Sequence, residues 1–224
     1  MSIKINYKNN LSNKKLANLV LFSDEKFNLS GLKKHLNSSE YSFITDLLKN
    51  KDLKQRILTF DISSKKKIIL VSLKKGFSNS DAENLGAKFY DIFKDLKINE
   101  FNINSDTISS QYKKLVGFFL HGLKLKSYEF NKYKTKKNNK NILISVTGNN
   151  KPSIKDQIKF KAIEEGTFYT RDLVSEPGNI LHPDEYAKRL STLRKDGLKV
   201  KIFDEKELKK LGMNTLLGVG QGSV

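Results

Sequence analysis

Apolar residues fall along this chain in short runs whose period changes several times. Leu16 to Phe22 and Arg56 to Ile62 have the length and composition of strands. Lys67 to Leu73 (KIILVSL) is continuously apolar, the mark of a strand covered on both faces. A helix follows, with Ser80 or Asp81 as its cap and Leu85, Phe89, Ile92, Phe93 and Leu96 recurring at spacings of three and four. Glu100 to Ile103 reads as a short strand. Ile108 to Leu123 reads as a second helix with Leu115, Phe118, Phe119 and Gly122 on its inner side, and Asn141 to Thr147 as a further strand. This alternation predicts an α/β unit over residues 1–150, with a mixed or parallel sheet flanked by helices.

Asn149 to Pro152 is turn chemistry and marks a boundary. Beyond it Ser153 caps a long helix over 151–176, in which Ile154, Ile158, Ala162, Ile163, Gly166, Thr170, Leu173 and Val174 form one stripe. Gly166 costs that helix about 1 kcal/mol relative to Ala, so a close backbone approach is expected there. Pro177–Gly178 ends the helix. Another starts at Pro183, with Tyr186, Ala187, Leu190 and Leu193 on its buried side and Gly197 as its stop. Leu198 to Phe203 (LKVKIF) alternates like a strand. Asp204 and Glu207 have the spacing of a capping box, and Gly212 ends that short helix. The run LLGVGQGSV, Leu216 to Val224, is apolar and glycine-rich, unlike an ordinary polar terminus. Residues 177–224 are therefore expected to be the truncated beginning of a second α/β domain.

Composition narrows the classes. The 224 residues suffice for one domain or one and part of another. The absence of cysteine excludes disulfide scaffolds, thiolate metal sites, iron–sulfur clusters and cysteine nucleophiles. No apolar run approaches the ~20 residues needed to cross a bilayer, and MSIKINYKNN has no apolar secretory segment, so no membrane association and a cytoplasmic location are expected. The net charge is +18, made by 42 Lys and Arg against 24 Asp and Glu; only Arg56, Arg171, Arg189 and Arg194 are arginines. Phosphate-gripping surfaces favour arginine's bidentate fork, so this charge is either a solvated lysine coat or a weak, nonspecific DNA-binding surface. Ser127 to Lys140 interleaves Tyr128, Phe130 and Tyr133 with lysines. It is either a stacking surface for single strands or a sheet-edge segment with a lysine-rich loop, and the second reading is preferred.

A direct search for chemistry finds little. His35, His121 and His182 are far apart and fit no metal-binding spacing. Gly218, Gly220 and Gly222 hint at a phosphate loop, but no helix start follows them, and a turn or a close backbone approach is preferred. Glu164–Glu165 and Asp184–Glu185 sit in helix turns, the latter explained by the macrodipole.

Two strings are more specific. Thr170 to Pro183 reads TRDLVSEPGNILHP and Leu211 to Ser223 reads LGMNTLLGVGQGS, separated by a helix, LKVKIF and DEKELKKLGM; upstream, Gly122 to Lys137 reads GLKLKSYEFNKYKTKK. In this order the chain resembles the cytosolic leucyl aminopeptidase family, most closely over 115–223. Ser175 departs from the pattern, which has Asn there. The resemblance implies a macro-like N-terminal domain over 1–150, a connecting helix over 151–176, and the beginning of the zinc-peptidase-like catalytic domain over 177–224. It also implies peptide substrates, a homo-hexamer, and two divalent ions, Mn or Zn, held by carboxylates and a lysine. In the family those groups follow the segment matching Gly220–Ser223. No residue of this chain is therefore assigned a catalytic, metal-binding or cofactor-binding role, and the chain alone is expected to be an inactive fragment.

Overall fold

A computed structural model describes residues 2–8, 18–96, 98–136 and 141–222. They form two compact units, Met1–Phe168 and Tyr169–Val224. The first is built on a six-stranded sheet. Its strands are β1 (Ser2–Tyr7), β2 (Asn18–Ser23), β3 (Ile57–Ser63), β4 (Lys66–Ser72), β5 (Glu100–Asn104) and β6 (Asn141–Thr147), in the order β1-β6-β5-β2-β4-β3. All neighbours are parallel except the β3–β4 hairpin. The mixed sheet flanked by helices is the fold class expected from the alternation of strand and helix. The strands predicted within residues 1–150 lie within a residue or two of those seen; Leu16 falls outside the described residues.

Each strand's period of two sends its side chains to two separate cores. On one face, Val20, Phe22, Ile69, Val71, Phe101, Ile103, Ile142 and Ile144 pack under α2 (Asn79–Phe93) and α3 (Lys113–Lys126). On the other, Leu19, Leu21, Leu58, Phe60, Ile68 and Leu70 pack with Leu32 and with Ile44 of α1 (Ser38–Leu48). The run in β4 is continuously apolar because it feeds both cores and has a strand on each side. β1 and α1 were missing from the sequence reading. β1 carries a short alternation, Ile3 and Ile5 against Lys4 and Asn6, and α1 carries a capping box between Asn37 and Glu40.

Several local expectations are corrected. The cap of α2 is Ser78, with Asp81 closing the box from the third helical position. Ile92 and Leu96 are exposed, because Leu85, Phe89 and Phe93 already fill the side facing the sheet. The second predicted helix begins at Lys113; residues 105–107 and 110–112 are 3-10 turns. Within it Phe118 is half-buried, packs against the rim of the core and meets Phe160 edge-on at 5.1 Å. The described part of the lysine-rich segment, 127–136, holds no strand, so it is not a sheet edge; Phe130 and Tyr133 meet edge-to-face at 5.8 Å. Lys137 to Lys140 lie outside the described residues.

Helix α4 (Ile154–Ser175) starts on the predicted cap, with Ser153 Oγ accepting from the Asp156 amide. Most of its predicted aliphatic stripe is exposed, Ile154 and Ile158 by 75% and 65%, while Leu173 of that stripe is buried. The inward positions are Gln157, Phe160, Glu164 and Phe168, where Glu164 pairs with Lys124 at 2.8 Å and Phe168 meets Tyr128 at 5.3 Å. Polar and aromatic residues hold this face, so a pattern that counted aliphatics selected the wrong one. Nothing lies within 4 Å of a Cβ built on Gly166, against the expected close approach. Within helices the close approaches are at Gly86, Gly117 and Gly122 instead.

His121 of α3 is buried against the Phe160 ring, with centroids 5.1 Å apart. Burial pushes its pKa below 6.5, against opposing pulls from Glu83 and Glu164. A depressed folded value means that its contribution to stability is present above pH 6.5 and is lost as the pH falls through the lowered value. In an NMR titration the His121 ring is expected to protonate below 6.5; a midpoint at or above 6.5 contradicts the packing described.

Candidate functional site

The residues bearing the specific strings fall in the second unit. Helix α4 stops at Ser175, before Pro177, which can donate no amide. The amides of Ile180 and Leu181 both bond to the Pro177 carbonyl at 2.9 Å and turn the chain. His182 is extended and makes no side-chain cap bond, and Pro183 opens α5 (Pro183–Thr192) with Asp184 and Glu185 in its first turn. That is a helix entry rather than a ligand position.

Arg189 organises this corner. Its Nε donates to Glu185 Oε1 and its Nη1 to Glu176 Oε1, both at 3.0 Å. The Glu176 side chain is 1% exposed, so its carboxylate needs this charge beside it. The Arg189 bond also lowers the pKa of Glu185, while Glu185 first and then Glu176 raise that of Arg189. One guanidinium thus ties the turn after α4 to α5. Sequence reading gave Arg189 no role, although a Glu and an Arg four apart on a helix were available as a signal.

The rest of the unit follows its caps. Gly197 is left-handed at φ 86° and ends the 3-10 turn after α5. Residues 198–203 form no strand: no described strand lies beside them, and Leu198, Ile202 and Phe203 are exposed. The Arg194 guanidinium bonds the Val200 carbonyl instead. Asp204 and Glu207 make the predicted box on α6 (Glu205–Lys210), and Gly212 turns at φ 70°. Gly218 and Gly220 lie inside a helix, α7 (Asn214–Gly220), rather than in a phosphate loop, and of the three glycines Gly222 lies in the turn that was preferred. The predicted buried side of α5 is also corrected. Tyr186 is exposed, and Ala187, Leu190 and Leu193 are only half-buried.

The other candidates do not converge. His35 and His121 belong to different cores of the first unit, and Glu165 pairs with Lys161 at 3.7 Å. Among the described residues no group of three or more His, Asp or Glu could hold a metal ion. Glu176, the most enclosed carboxylate of this unit's specific strings, is held by Arg189. The described residues therefore do not fit a divalent pair, and no chemical step is derived from them.

The fold resembles that of solved leucine aminopeptidases. A tomato leucine aminopeptidase mutant superposes with a TM-score of 0.68, covering 94% of this chain and 46% of its own, at 18% identity. The bottromycin maturation enzyme BotP, solved in complex with Mn, superposes at 0.61 over 88% of this chain and 40% of its own, at 13% identity. Residues 168–224 match the family described as the cytosol aminopeptidase family, catalytic domain. A protein of Bradyrhizobium sp. (strain BTAi1) named "Probable cytosol aminopeptidase" is 43% identical over 109 residues, and one of Agrobacterium fabrum with the same name is 46% identical over 112. Those matches cover 46% and 47% of this chain and 21% and 22% of the relatives, so the match spans about a fifth of their length. The resemblance to the leucyl aminopeptidase family read from the motifs is shown over that stretch. No described helix is long and apolar enough to cross a membrane.

Proposed function

We propose that this chain is the N-terminal portion of a leucyl-type metallo-aminopeptidase. Residues 1–150 serve as its macro-like domain, 151–176 as a connecting helix and 177–224 as the beginning of its catalytic domain. The complete enzyme is cytoplasmic, releases N-terminal residues from peptides with two divalent ions, Mn or Zn, and assembles as a homo-hexamer. The observation that carries this reading is the family match over residues 168–224, on the segment that holds both specific strings. In this reading the chain by itself is inactive.

The test is direct. Purified chain supplied with Mn²⁺ or Zn²⁺ is expected to release no p-nitroaniline from leucine p-nitroanilide beyond a mock purification. Metal-dependent release that co-purifies with the chain contradicts inactivity. The +18 charge also supports a weak, nonspecific attraction to DNA that disappears as salt approaches physiological strength, which a salt titration of affinity reads.

A further inference from the structure

In an open parallel sheet, ligands favour the crevice beyond the carboxyl ends of strands where the connections part to opposite faces. Here that point lies between β2 and β5. From β2 the chain passes through α1, on one face, to the β3–β4 hairpin; from β4 it passes through α2, on the other face, to β5. A crevice of about 720 Å³ opens there, within the size range of small-molecule sites.

Three features set it apart from an incidental groove. First, the hydroxyl of Ser23, a residue 8% exposed that lines the crevice, has no hydrogen-bond partner. Two of the other buried unpartnered atoms, Asn102 Nδ2 and His35 Nε2, belong to the same side of the sheet but do not line the crevice. The register places Leu19 beside Asn102 and Leu21 beside Asn104, so Ser23 follows on that face. Asn104 Nδ2 lies 3.0 Å from His35 Nδ1; an amide nitrogen only donates, so the ring proton sits on Nε2. Buried donors and hydroxyls left unmade cost stability and are retained where a ligand uses them.

Second, the wall after β2 is a hydrogen-bonded turn with a strained residue. Asp24 Oδ1 accepts from the amides of Lys26 and Asn28, and between them Phe27 is left-handed at φ 55° with its ring buried. Such backbone strain gathers at binding sites. Third, the lining carries both signs of charge over an apolar floor. Asp24 and Asp106 provide carboxylates, Lys26 and Lys75 provide ammonium groups, and Phe22 and Tyr112 belong to the floor.

The geometry points to a binding site for a short peptide with free, charged termini and apolar side chains. Its carboxylate would take the Ser23 hydroxyl and the lysines, and its ammonium group Asp106 and Asp24. This inference rests on the crevice alone and does not need the peptidase reading; it is tested by binding, without any readout of hydrolysis.

The probe is Leu-Leu, with the doubly capped acetyl-Leu-Leu-amide as control, followed by thermal shift and calorimetry on the whole chain. Leu-Leu is expected to bind saturably and raise Tm, and the capped peptide to do neither. Ser23→Ala removes an unpartnered hydroxyl, so without peptide its Tm should hold or rise, while its peptide affinity falls about tenfold. Asp106→Asn keeps the oxygen that accepts from the Asn149 amide but loses the charge, and should also weaken binding about tenfold with its fold intact. Absence of saturable Leu-Leu binding overturns the inference. So does equal binding of the capped peptide, or full affinity in both folded variants.

Discussion

Gly86→Ala is expected to destabilise the first unit by about 3 kcal/mol or more, the upper end of what overpacking costs. A Cβ there would sit 1.9 Å from the Phe119 carbonyl oxygen, which is backbone and cannot rotate away. The reciprocal contact is as tight: a Cβ on Gly122 would lie 2.0 Å from the Glu83 carbonyl oxygen. Helices α2 and α3 therefore touch backbone to backbone, and one added methyl must drive them apart over the core they share. Helix propensity alone would favour Ala by about 1 kcal/mol, so the contact decides the sign. Gly166→Ala is the control, since nothing lies within 4 Å of its Cβ and only the propensity gain remains. Urea unfolding of the two variants beside the unsubstituted chain measures this. Equal stabilities for Gly86→Ala and Gly166→Ala contradict the described crossing.

Phe89→Ala should cost about 3–5 kcal/mol, the usual range for a phenylalanine emptied from a core. Phe89 meets Phe93 at 4.6 Å, and Phe101 and Phe119 at 5.5 Å each. It thus joins α2 to α3 and to β5. Phe43→Ala, on an exposed side chain of α1, should change stability by no more than about 0.5 kcal/mol. Unfolding midpoints in urea check both; a small loss at Phe89 would mean that the aromatic cluster is not a structural centre.

How far the chain could be read before its structure depended on what each element packs against. β4 was legible because a strand buried on both faces must be apolar throughout. β1 was not, since an edge strand needs apolar residues on one face only and its six residues carry Lys4 and Asn6. In α4 the inward side is built from Gln157, Phe160 and Glu164, so aliphatic spacing misled. LKVKIF shows the complementary failure: alternation specifies a strand only when another strand accepts its ladder, and no described strand lies beside it. Caps were the most transferable signal, because Asp204 with Glu207 and Ser153 with Asp156 are satisfied locally. The second unit was legible as family strings, yet the role of Arg189 depends on Glu176 thirteen residues away and needed coordinates.

The most direct test of the account joins residues 1–222 of this chain to the remaining length of the Agrobacterium fabrum relative, after the segment matching Gly222. If this chain carries the framework of a leucyl aminopeptidase, the folded hybrid should release leucine from leucine p-nitroanilide in a Mn²⁺- or Zn²⁺-dependent way, and chelation should abolish that release. A hybrid that folds and binds the metal but releases no leucine contradicts the assignment.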